Sequence, residues 1–191
     1  MQLKEEVVFY EAIYKSEVER REKLFSRMSL PIALLTPILG LWAYMLNKFN
    51  LNGQVVAGLI FLALMIFSLI IALFIIFFLA KALYGFTDKL LPPSVELINY
   101  HNLLQKTYEN YEQTDAIVDD FFMKFLRDSY IDYSSQNSNN NDERTKYIVR
   151  ALISITMMIF ISFLGFCFFE ICFFASTSDN INLCRFIAQI I

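Results

Sequence analysis

Histidine is nearly missing from this chain: His101 is the only one in 191 residues. With no His pair and no CxxC, a zinc-type site has no ligand set to draw on. The three cysteines are an odd number, which excludes a fully paired disulfide framework within one chain. Glycine is also scarce, at five residues, and there is no Gly-rich phosphate loop, nucleophile elbow or other catalytic signature. The chain therefore reads as a non-enzyme without a cofactor. Its formal net charge is only -3, so it has no global field to draw in duplex nucleic acid. No stretch alternates apolar and polar residues with period two, which removes β-strands and leaves an all-α fold.

What the chain has in excess is hydrophobic side chains, 57% of the total, against roughly 45–50% in soluble domains. They gather into blocks. Residues 30–46 carry no charge, with Trp42 and Tyr44 near the far end, as interfacial aromatics stand. Pro31 falls near the helix start, where its missing N–H costs little, and Pro37 lies inside, where it should kink the helix. Residues 55–80 are uncharged throughout and exceed the length of roughly 20 residues that a span needs. The third block runs from Ala151 to Phe169, followed by Glu170. A short connection with Asn52-Gly53 as its turn signal joins the first two blocks. The expected architecture is an integral membrane protein with three transmembrane helices and amphipathic cytoplasmic helices.

Charge asymmetry orients it. Lys4, Lys15, Arg20, Arg21, Lys23 and Arg27 precede the first span, and eight more basic residues lie between the second and third spans, from Lys81 to Arg150. Only Lys48 and Arg185 fall on the other side. The positive-inside rule then places the N-terminus and the central segment in the cytoplasm and the C-terminus outside. The first 28 residues lack an apolar core of the signal-peptide type. The expected layout is a cytoplasmic helix over 1–28, a two-span hairpin over 29–82, a cytoplasmic helical region over 83–146, a third span over 147–175 and an extracytoplasmic tail over 176–191.

The cytoplasmic segments are patterned. Leu3, Val7, Tyr10, Tyr14, Val18, Phe25 and Met28 step by three and four residues, interrupted at Arg21, which gives one apolar seam of the coiled-coil type. It packs on a helix of the same protomer or between protomers. Ser68 and Ala72 on the second span form a small-xxx-small pair that could serve the same association. After Pro92-Pro93, Ser94 is offered as a helix N-cap. Leu97, Tyr100, Leu104, Tyr108 and Tyr111 then share one helical face. Thr114 or Asp115 offers a second cap, before an apolar stripe of Val118, Phe122, Phe125 and Leu126. Residues 134–143, SSQNSNNNDE, read as a polar low-complexity loop.

Candidate site residues follow from these placements. Glu170, in an apolar run, either lines an ion pathway with Thr156 and Cys167 or sits among headgroups at the end of the span. Tyr100, His101, Lys106, Tyr108, Lys124 and Arg127 supply stacking and phosphate contacts for a planar anionic ligand, or else serve helix packing and a solvated face. Cys172 and Cys184 could pair if their end of the third span meets an oxidising compartment.

Taken together, an amphipathic N-terminal helix, two spans joined by a short hairpin and a return into cytoplasmic helices resemble the SLATT class of two-transmembrane effector modules found beside bacterial antiphage signalling genes. The likeness is architectural and covers roughly residues 5–130; the third span departs from it. Asn137, Asn141, Arg144, Tyr147 and Ala151 are also similar to an N-xxx-N-xx-[RK]-xx-Y-xxx-A pattern of bacterial membrane proteins. The resemblance implies an effector of the CBASS or Hailong type in the bacterial inner membrane. It would be a homo-oligomer, a tetramer by analogy, depolarising the infected cell under control of a nucleotide or short oligonucleotide from a partner synthetase. The alternative is a membrane-anchored sensor or scaffold without channel activity. A third reading is an accessory subunit of a transporter or secretion machine.

Overall fold

Proline ends with Pro93, and Gly165 is the only glycine after Gly85, so from Thr114 onward the chain carries no proline and a single glycine to interrupt a helix. The structure, a computed structural model, describes residues 2–49 and 55–190, with side chains as far as residue 170 apart from residue 57. Five helices follow one another: α1 (Leu3–Arg27), α2 (Ser29–Lys48), α3 (Val55–Tyr84), α4 (Ser94–Tyr108) and α5 (Thr114–Ile190). No strand occurs among the described residues. Three helical stretches, Leu3–Lys48, Gly58–Tyr84 and Thr114–Glu170, are each long and apolar enough to cross a membrane.

The expected loop over 134–143 is a correction: it is helix, in the middle of α5. Asn and Ser are poor helix formers by about 0.5 kcal/mol each, and here the deficit is offset by side-chain bonds described below. The tail over 176–190 is helical as well. Pro37 lies inside α2 without ending it, and Ser94 is the first residue of α4 rather than its cap, Pro93 standing at that position. Thr114 does not cap α5 either. Its hydroxyl lies 2.7 Å from the carbonyls of both Tyr108 and Tyr111 and donates backwards. The Asn52-Gly53 turn and the Cys172 and Cys184 side chains lie outside the described residues.

The chain divides into two compact units: residues 1–26 with 82–146, and residues 27–81 with 147–191. In the second unit the buried positions repeat with alternating three- and four-residue steps. On α3 they are Gly58, Phe61, Ser68, Ala72, Ile75 and Leu79; on α2, Pro31, Leu35, Trp42 and Met45. On α5 they are Ile148, Ala151, Ile155, Met158, Ser162, Gly165 and Phe169. A 3.5-residue period is the spacing of knobs-into-holes packing. Each seam lets one helix face its neighbours while the rest of its surface stays apolar.

Two contacts show how closely these helices approach. The Trp42 indole N–H donates to Ser162 Oγ at 2.8 Å, and that hydroxyl donates to the Met158 carbonyl at 2.7 Å. A Cβ added to Gly165 would fall 2.4 Å from the Trp42 ring, so only glycine fits opposite the indole. Phe61 lies among Trp42, Phe49 and Phe169, with ring centroids 5.7, 4.7 and 6.0 Å away. Ser68 and Ala72, expected to face another protomer, are instead buried inside this unit. A small-residue seam consumed by the chain's own helices is not a free surface.

Candidate functional site

The first unit is built around a segment with no secondary structure of its own. Gly85 ends α3, and Pro92-Pro93 forbids helix before α4. Between them the main chain of residues 87–92 makes no backbone–backbone hydrogen bond among those found outside the helices. Buried main-chain polar groups need partners, and here side chains supply them. The Asn137 amide serves one residue from both sides: Lys89 N–H donates to Asn137 Oδ1 at 2.9 Å, and Asn137 Nδ2 donates to the Lys89 carbonyl at 2.9 Å. Asn140 Nδ2 and Gln136 Nε2 donate to the Thr87 carbonyl at 2.8 and 3.4 Å. Leu91 N–H donates to the Tyr14 hydroxyl at 3.3 Å.

Arg144 anchors this strap. It is 1% exposed, the largest fully buried side chain among the described residues. Its two terminal nitrogens donate to both oxygens of Asp88 at 2.8 Å each, a bidentate geometry, and to the Asn141 side chain and the Phe86 carbonyl at 3.0 and 3.2 Å. Arg21 from α1 reaches the same carboxylate at 3.1 Å. Both guanidiniums lie over the Phe25 ring, at 5.2 and 5.7 Å from its centroid. Asn141 Nδ2 donates to the Glu17 carbonyl at 2.9 Å and to its carboxylate at 3.0 Å. The polar face of α5 therefore holds both α1 and the strap. The crevice bordered by Glu17, Arg21, Asp88, Asn137 and Asn141 has no room for even a water-sized guest.

The α1 seam is accordingly not interrupted at Arg21. Val7, Tyr10, Tyr14, Glu17, Arg21 and Leu24 hold the three-four spacing and are buried or half-buried. Tyr14 meets the Tyr130 ring at 5.6 Å, and Arg127 meets Glu6 at 3.2 Å. Val7 and Leu24 are buried, while Tyr10, Val18 and Phe25 are half-buried. Hydrogen bonds to Asp128 and then Glu6 push the Arg127 guanidinium up from its ordinary range, and burial does the same for the Tyr130 phenol.

The ligand candidates fall into two groups. Tyr100, His101 and Tyr108 face the start of α5: Tyr100 lies 4.7 Å from Phe125, His101 5.2 Å from Phe122 and Tyr108 5.3 Å from Phe121, nearly parallel. Lys124 pairs with Asp120 at 2.7 Å, and Lys106 is exposed at the end of α4. These contacts are those of helix packing and a solvated face. The pore candidates sit on one stripe of α5. Thr156 and Cys167 are exposed, Glu170 is half-buried, and Phe160 and Phe163 stand exposed between them. The Thr156 hydroxyl donates to the Leu152 carbonyl at 3.1 Å. Among the described residues, two open grooves on the second unit are apolar. One of about 430 Å³ is lined by Ile38, Leu41, Ile159, Ser162, Phe163 and Phe166, and another of about 400 Å³ by Ile70, Leu73, Phe74 and Phe77.

Reading residues by type missed Asp88, Arg21 and Glu17 as site residues. Asn137, Asn141 and Arg144 were visible as a spaced pattern, and that spacing is what places them on one face of α5. No protein-family model, curated protein or solved structure matches this chain.

Proposed function

We propose that the chain is an oligomeric membrane effector of bacterial antiphage defence, forming a pore or ion channel that depolarises the cell under control of a cytosolic nucleotide-type signal. The observation that carries this reading is the pairing of three apolar helices with a polar-clasped helical unit in one chain. The seams of the apolar helices are filled by side chains such as Trp42, Phe61 and Met158, so among the described residues a single copy encloses no passage. A pore then requires several copies, a tetramer by analogy, arranged so that Thr156, Cys167 and Glu170 line the pathway. The chain sits in the inner membrane with its N-terminus cytoplasmic and its C-terminus outside. Its amphipathic helices (α1, α4 and the first part of α5) form a cytoplasmic collar that answers the ligand.

One observation favours the second reading, a membrane-anchored sensor or scaffold without channel activity. All three aromatic ligand candidates, Tyr100, His101 and Tyr108, contact other rings within the collar. Membrane potential separates the two readings. In bacteria carrying the cognate defence genes, phage infection should depolarise cells producing this chain, and Glu170→Gln should change the extent. A potential that holds through infection at full expression would leave the anchor reading in place of the pore.

A further inference from the structure

The strap over residues 86–91 is held by side chains. The side-chain bonds to the main chain of residues 87–91 come from α5 and α1, Asn137, Asn140 and Gln136 on one side and Tyr14 on the other, and Arg144 holds the Phe86 carbonyl. Such a segment can leave without breaking a helix ladder. Its anchor is a bidentate ion pair, with Arg144 and Asp88 side chains 1% and 8% exposed. Burying that pair costs desolvation, and an apolar pair of similar size is often as stable. What the charged pair adds is a specified contact that separates as a unit. Asp88 also bears on Arg21, so two guanidiniums share one carboxylate. Neutralising Asp88 leaves two cations facing each other in a place where water screens them poorly.

We propose that Asp88 and Arg144 form a releasable clasp. Closed, it pins the segment that leaves α3 onto α5; opened, it frees that segment and the end of α3 joined to it. Its role as the step that starts permeation rests on the pore reading above. The strap follows α3 directly at Gly85, so its release removes the hold on the chain at the end of an apolar helix, while the hydrogen bonds inside α3, α4 and α5 are untouched.

The test joins two measurements on the full chain, amide hydrogen exchange in lipid nanodiscs and ion flux from liposomes. It uses Asp88→Asn, and Asn137→Leu as a variant that removes both bonds to Lys89 without changing charge. In the wild type, Lys89 and Leu91 amides should exchange slowly. In both variants their exchange should rise by about tenfold or more, while α4 and residues 118–134 of α5 stay as protected as in the wild type. Ion flux should rise with it. If protection falls across α1, the strap and α5 together, or if the wild-type strap already exchanges as open chain, the clasp is overturned whatever the flux. If the strap opens alone and neither protein passes ions, the clasp stands and the pore reading falls. Flux in the wild type that the selectively opened variants leave unchanged would break the link between the two.

Discussion

Two stretches of α5 share one spacing and differ in everything else. Ser134, Asn137, Asn141 and Arg144 are buried in steps of three and four, and Ile148, Ala151, Ile155 and Met158 continue the same steps. The first set is polar and the second apolar. The difference lies in the partner. Where the neighbour is another helix, its main chain is already hydrogen-bonded and apolar side chains fill the seam. Where the neighbour includes main chain outside any helix, as with residues 87–91, the Asn137 and Asn140 amides satisfy it beside the Arg144 guanidinium, and Asn141 serves Glu17 of α1. Periodicity sets which residues are buried; the state of the partner's backbone sets what they must be.

Substitutions in the two stretches test the contrast directly. The largest effect should come from the polar set. Arg144→Ala leaves Asp88 buried with Arg21 and Asn140 as partners, so the loss should fall toward the lower end of the about 3–5 kcal/mol that breaking a buried pair costs. Chemical denaturation followed by a probe in residues 82–146 would read it. Gly165→Ala should come next, because its Cβ would overlap the Trp42 ring; overpacking of this kind costs about 1–3 kcal/mol and should lower the thermal midpoint of the detergent-solubilised protein. Ser162→Ala keeps the indole in place and removes the hydroxyl that accepts its N–H, a loss of about 0.6–1.7 kcal/mol measurable in the same way. Asp142→Asn should be nearly silent. Its pairing with Arg20 is on the surface, where such pairs contribute about 0–1 kcal/mol, so a large loss there would show that the polar face extends beyond its buried line.

The apolar half of the molecule was legible from composition, since uncharged runs announce themselves whatever they pack against. The α1 seam was legible only in part. Arg21 looks like an interruption when residues are sorted by hydropathy, because the carboxylate that lets it take a seam position, Asp88, belongs to a distant part of the chain. Residues 134–143 were misread for a related reason: Asn and Ser mark loops when they bond their own backbone, but here Asn137 and Asn140 bond the main chain of Lys89 and Thr87. The three-four spacing of Asn137, Asn141 and Arg144 was the available clue. Among the candidate residues, Tyr100, His101 and Tyr108 were placed on the right helix, yet sequence spacing could not show that the aromatic residues of α5 would occupy their faces.

The most direct measurement is backbone hydrogen exchange across residues 134–143 of the full chain in lipid. Exchange there should be as slow as in residues 118–133, because this Asn-rich stretch is continuous helix held by the strap and α1. Exchange at the rate of an open chain there would contradict this, returning the stretch to a loop and removing the face on which the clasp is built.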